Sequence, residues 1–397
     1  MHRFILRIMT LIIVLLLVSC SEGNTVTNPI ENINIATNTT NTYSGGSSET
    51  PQINKTEPTE PTEPTEPINK VEIKGFVLKY ILFDAAVEMF EVNVTKPGHR
   101  FERNYKDKGY YKWLVDSYTK MDDGSKAYLE EIFQAQHVWQ YMNIVTKLPD
   151  SANLEDILKC ISSEVSLSKI QKYAASRFFP YFYTNYLKEY LEKRDHEFEE
   201  TLSNLRKTVD ANNPDIIGFM EKTSGISFKL KFKPELYFIF DNVSAYGFNY
   251  GNIKISTVPA TENKYDFLFG APFHEYSHEL FRTFINDSDF QKLFSEMKKD
   301  KVLMEYWMGG IKKSYDWSGW CEENLVNGFS SYLKYKYYGT DDEFAHYVYD
   351  FDFYKYLKEM DFDGQKDSLK DLTAKFCRTV VANLKENNAL NHSSAGE

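Results

Sequence analysis

The chain has 397 residues, room for one large or two ordinary domains, and its 28 Tyr and 29 Phe are too many for a disordered chain. A formal net charge of −11 disfavours a general nucleic-acid binder, which needs a basic field. The four cysteines (Cys20, Cys160, Cys321, Cys377) include no CxxC pair, which excludes a cysteine-based zinc module, and no glycine-rich phosphate loop is present.

Residues 1–19 carry Arg3 and Arg7 and then the unbroken apolar run Leu11–Val18, too short to span a bilayer comfortably. The stretch ends Leu17-Val18-Ser19-Cys20, which resembles the lipobox of bacterial lipoproteins. That resemblance implies cleavage before Cys20 and lipidation of its thiol. The protein would then sit in the bacterial cell envelope, lipid-anchored to the membrane and facing outside the cytoplasm. Two or three acyl chains hold a protein stably, whereas one is marginal. Residues 20–70 read as a solvated tether. They hold few large apolar side chains and repeat Thr-Glu-Pro from Thr56 to Pro67. Proline at every third position favours polyproline II and forbids helix or sheet pairing.

Composition changes at Val71. Val71 to Phe83 reads as a strand or extended entry that passes into a helix. Residues 110–147 place Trp113, Leu114, Tyr118, Leu129, Ile132, Phe133, Val138 and Met142 at helical spacing. Residues 153–206 continue the helical pattern with an interruption near Pro180. From 226 to 258 the pattern becomes that of two or three strands: Ile226–Phe232 alternates, Leu236–Phe240 is a short apolar run, and Tyr250–Val258 alternates in part. Helices resume at Pro272 and run to a frayed tail at 391–397. The expected fold is α+β and mostly helical. A helical part spans 71–225, and a part spanning 226–390 sets a small sheet beside a pair of site helices.

The chemistry-bearing motif is His274-Glu275-Tyr276-Ser277-His278. Pro272 suits a first helical turn. His274 and His278, four apart, project from one face about a turn from each other and can share one Zn²⁺. Glu275 lies beside that face and can work as a general base. Phe273, Ser277, Leu280, Phe281 and Phe284 form the opposing stripe that would bury the helix. Catalytic zinc takes three protein ligands. HExxHxxGxxH is absent, because residue 284 is Phe, so a metzincin is excluded and a downstream Glu is expected as third ligand. Glu296, Glu305, Glu322 and Glu323 are the candidates. Glu296 lies among lysines and Glu305 in an aromatic stretch, whereas Glu322 and Glu323 open an apolar helical segment with few charges. His137 and His346, in aromatic stretches, read as core or surface groups; His99 and His196, among charges, read as solvated, and His392 lies in the tail.

Glu323-Asn324-Leu325-Val326-Asn327 resembles the second zinc helix of thermolysin-like gluzincins. The resemblance implies that Glu323 is the third ligand and that Asn327 orients a histidine from behind, where Asp is more usual. A competing alignment with gluzincin aminopeptidases sets Asn327 in the ligand position itself. More broadly, Val71–Phe83, Asn249-Tyr250-Gly251, the HExxH helix and Glu323–Leu333 resemble a family of bacterial lipoproteins with a gluzincin-like zinc-protease domain, over roughly residues 71–384. The family implies one Zn²⁺ per chain, a peptide or protein substrate, and hydrolysis by a zinc-activated water with Glu275 as base. It also implies a strand that pairs with extended substrate, here Asn252 to Val258, and an oxyanion-stabilising Tyr or His, for which Tyr347 and Tyr354 are candidates. The alternatives are a non-catalytic or degenerate protease-like surface-binding lipoprotein and a zinc hydrolase of non-peptide substrates.

Overall fold

The structure is a computed structural model; it describes residues 70–393 apart from 96–104, 135–136, 241–244, 310, 314 and 343. The expected signal peptide, Cys20 and the expected tether up to residue 69 lie outside the described residues, as does the end of the expected tail.

The first part begins with strand β1 (Glu72–Phe76) and helix α1 (Leu78–Phe90), as the Val71–Phe83 pattern predicts. Every residue of α1 after Leu78 is buried, so this helix is enclosed on all sides. Its one lysine, Lys79, is satisfied there by the Leu148 carbonyl at 2.7 Å and by Asp150 at 3.0 Å. Then come α2 (Lys108–Lys120), α3 (Asp123–Gln134) and α4 (Val138–Val145). Next are α5 (Leu154–Ser163) and α6 (Lys169–Phe182), each opened by a capping box, Asn153 with Asp156 and Ser168 with Gln171. Pro180 sits inside α6, and the chain widens into a π turn over Tyr183–Leu187 before α7 (Lys188–Asn212). The interruption expected at Pro180 is thus a change of helical pitch three residues on. Helix α8 (Ile216–Ser224) follows.

The sheet is completed by β2 (Lys233–Ile239), β3 (Gly247–Tyr250) and β4 (Ile253–Pro259), in the order β1-β2-β4-β3. β1, β2 and β4 are parallel, while β3 runs antiparallel to β4 through a tight hairpin at Gly251, whose φ of 58° suits glycine. Ile226–Phe232 alternates but is not a strand. Phe228 and Phe232 are buried side by side, and Phe232 packs edge-on against Tyr276, so their burial comes from packing and not from a ladder.

Alternation along β2 divides the core in two. Leu236 and Phe238 pack with the C-terminal helices, while Tyr237 and Ile239 pack with α1 to α6. Those C-terminal helices are α9 (Gly270–Arg282), α10 (Ser288–Met297), α11 (Lys301–Met308), α12 (Trp317–Tyr338), α13 (Asp350–Glu359) and α14 (Leu369–Ser393). The result is α+β and mostly helical, with one small mixed sheet between two helical layers. Cys160, Cys321 and Cys377 are buried free thiols.

Candidate metal centre

Helix α9 packs against β3, β4 and α12. The predicted stripe holds: Phe273, Ser277, Leu280, Phe281 and Phe284 are all buried. That stripe fixes the rotation of the helix and turns His274 and His278 to the opposite side, with ring centroids 5.2 Å apart. Helix α12 is N-capped by Asp316 and carries Glu322 and Glu323, both buried, to the same place.

The geometry separates the two glutamates. Glu323 lies between the histidines, with Oε1 3.2 Å from His274 Nε2 and Oε2 3.5 Å from His278 Nε2. One donor atom from each of the three falls within 4.8 Å of the others. Glu322 stands behind the cluster, where its Oε1 accepts from His278 Nδ1 at 2.6 Å and from Arg282 Nε at 2.9 Å. Of the other glutamates, Glu296 pairs with Lys299 at the surface and Glu305 is exposed on α11, so neither joins the cluster.

Asn327, one turn along α12 from Glu323, hydrogen-bonds His274. Its amide is oriented by its other end, since Nδ2 donates to Asp350 Oδ2 at 2.7 Å. The carbonyl oxygen therefore faces the imidazole. Asp350 is itself buried and also accepts from the backbone N–H groups of His346, Tyr347 and Phe351. A carboxylate thus stands behind His274, at one remove through Asn327. With Nδ1 of His278 donating to Glu322, its Nε2 is left to face Glu323 as a free donor atom for a metal.

The residues fit a metal ion. Glu323 Oε2 is buried and has no hydrogen-bond partner, an arrangement that costs free energy unless something else satisfies it. The donor set, two imidazoles and a carboxylate, suits a divalent transition metal. Without a metal, protons do the same work. Burial disfavours a charged His274, but the charge and hydrogen bond of Glu323 outweigh it and hold the imidazole at about 9. Burial likewise disfavours the Glu323 carboxylate, yet His274, His278 and Tyr347 bring it down to about 2.

Glu275 faces the same space, and burial raises its carboxyl above the ordinary range. It lies against Gly247 of β3: a Cβ at 247 would stand 2.8 Å from Glu275 Cβ and overlap its carboxylate. Only glycine lets the strand approach the helix this closely.

The cleft over the cluster has a volume of 1210 Å³, and its walls come from both halves of the chain. Tyr347 lines it and donates to Glu323 Oε1 at 3.1 Å. Tyr354 does not: its hydroxyl is bound to Asp341, away from the cleft, so that candidate is withdrawn. Burial and nearby carboxylates hold the phenols of Tyr347 and Tyr315 well above their ordinary value, so both remain donors. The expected substrate strand is also corrected. β4 lies between β2 and β3, whereas β3 is the edge strand on the side of the cleft, β1 being the other edge.

Sequence reasoning missed Gly247, Tyr315 and Trp139, and it passed over two histidines that line the cleft, His137 and His346. The backbone anchoring of the 346–347 turn by Asp350 is a contact with a local sequence signal, an Asp just after the turn it caps. The others are brought in by distant segments. Comparison with protein-family models, curated proteins and solved structures finds no match.

Proposed function

We propose that this chain is a zinc metallopeptidase of the bacterial cell envelope, anchored by lipid on Cys20 and facing outside the cytoplasm. The observation that carries the reading is the Glu323 carboxylate, held between two histidine ring nitrogens with one oxygen unsatisfied, in a cleft that also holds Glu275. His274, His278 and Glu323 would hold the ion. Bound there, zinc would polarise a carbonyl and acidify a water.

The residues of the chain supply the rest. Glu275 takes the proton of the attacking water and returns it to the leaving amine. Its raised carboxyl value suits both tasks, because a stronger acid would be a poor base. Tyr315, Tyr347 and His346 line the cleft as candidate donors to a developing oxyanion, Tyr347 only by giving up its hydrogen bond to Glu323. The exposed edge of β3 can pair with an extended peptide, which favours peptide substrates over small non-peptide esters. Among the described residues, no helix is long and apolar enough to cross a membrane.

The test uses the mature chain and its Glu275→Gln variant. Both should retain one zinc per chain after dialysis, and only the wild type should cleave a denatured mixed-protein substrate. Rate losses of about 10²–10⁴-fold are typical when a general base is removed. A wild type that binds zinc and cleaves no protein or peptide would support the non-catalytic alternative.

A further inference from the structure

The register of β3 shows which of its backbone groups face the cleft. Phe248 stands opposite Ile255, and the Thr257 N–H donates to the Tyr246 carbonyl at 2.9 Å. In an antiparallel ladder, hydrogen-bonded pairs alternate with unbonded ones. Tyr246, Phe248 and Tyr250 therefore turn their backbone groups toward β4, and Gly247 and Asn249 turn theirs outward. These two residues are all that the short strand offers to an added chain.

One outward group is already taken. The indole N–H of Trp139 donates to the Gly247 carbonyl at 3.0 Å from a position 108 residues away in the sequence. Trp139 belongs to α4, lines the cleft and lays its ring over Phe248, with centroids 6.0 Å apart and planes at 26°. It remains 41% exposed, so the ring is a wall of the cleft and not part of the core. Among the described residues, the N–H and carbonyl of Asn249 have no partner.

An extended peptide pairs with an edge strand through every second residue, exchanging two backbone bonds at each. At Asn249 both bonds can form. At Gly247 the acceptor is already occupied by the indole N–H. We propose that Trp139 is a specificity-determining residue that ends the peptide-binding edge at Gly247. The cleft then pairs with one substrate residue and takes short peptides or chain ends in preference to long extended segments. This inference rests on reading the cleft as a peptide site.

The test measures the affinity of uncharged capped peptides of increasing length by calorimetry, using zinc-loaded mature chain in the Glu275→Gln background so that nothing is consumed. With Trp139 in place, affinity should stop rising once a peptide spans Asn249. Trp139→Ala should extend the rise by about two residues and bind the longer peptides about 2- to 10-fold more tightly, the usual yield of a backbone bond. Trp139→Phe keeps a ring over Phe248 but cannot donate, and it should show the same extension. Extension in Trp139→Ala alone would overturn the hydrogen bond as the cause. The same plateau in all three proteins would overturn the proposal and leave the peptide reading standing. If none binds a peptide of any length, the peptide reading fails and this proposal with it.

Discussion

Gly247→Ala places a single methyl group between the edge strand and the proposed base. The added carbon would lie 2.8 Å from Glu275 Cβ and 2.9 Å from Cδ. Two carbons rest about 3.5 Å apart or more, so a gap of about 0.7 Å must open. Glu275 cannot yield it by changing rotamer, because Cβ is fixed by the helix backbone. The buried stripe from Phe273 to Phe284 holds that helix in turn. The strand must move, or the carboxylate must tilt. Overpacking of this kind costs about 1–3 kcal/mol of stability, and misplacement of a reacting group by about 1 Å can cost on the order of 10²-fold in rate. We expect Gly247→Ala to fold, to melt a few degrees lower, and to keep one metal per chain, because no ligand is touched. Its kcat should fall by about 100-fold. The assays are peptide hydrolysis, metal analysis after dialysis and a thermal melt. Wild-type kcat in a folded Gly247→Ala would refute the close approach of β3 to Glu275 as a constraint on catalysis. Loss of the metal would refute the separation of base from ligands.

Glu323→Ala should abolish stoichiometric zinc, whereas Glu322→Ala and Asn327→Ala should each weaken it by about 10–100-fold, as changes behind a ligand do; metal content after dialysis decides, and full zinc in Glu323→Ala would overturn the ligand set. The metal-free protein should be most stable, as far as His274 and Glu323 decide it, between about pH 4.5 and 6.5. His274, raised to about 9, contributes fully below its ordinary 6.5 and loses that contribution as pH rises through 9; Glu323, lowered to about 2, contributes above its ordinary 4.5 and loses it as pH falls through 2. Melts across pH with chelator present test this, and a pair-dependent optimum outside that window would refute it. Zinc must displace the His274 proton, so binding near pH 7.5 should release protons, read by calorimetry in buffers of different ionisation enthalpy. Cys20→Ala should free the protein from the detergent phase or block its processing, and unchanged partitioning would refute lipidation.

The features legible in the sequence are those that depend on neighbours along the chain. The HExxH pattern is local: i, i+4 spacing sets two imidazoles on one helix face whatever surrounds it, and the apolar stripe at 273–284 gives that helix its phase. The extended entry and helix at 71–83, the α+β class and the rough place of the strands were readable for the same reason. Choosing Glu323 over Glu322 is different in kind. One residue along a helix is a turn of about 100°, and α12 is buried nearly all round from Trp317 to Leu333, so its sequence carries no amphipathic phase from which to choose. A resemblance pointed to Glu323, and the packing of α12 on α9 brought it between the histidines.

Strand order is likewise non-local. Asn252 to Val258 reads as a strand, but only pairing with β2 and β3 makes β4 interior and leaves β3 at the edge. Gly247 is an unremarkable residue until β3 is laid on Glu275, and Trp139 is one aromatic among many until α4 is folded back across 108 residues onto that strand. Tyr347 and Tyr354 look alike in the sequence, seven residues apart, yet the anchoring of the 346–350 turn by Asp350 sends one hydroxyl to Glu323 and leaves the other on Asp341. Local periodicity settles which way a side chain faces on its own helix or strand. What it meets there is settled by contacts between distant segments, and those exist only once the chain has folded.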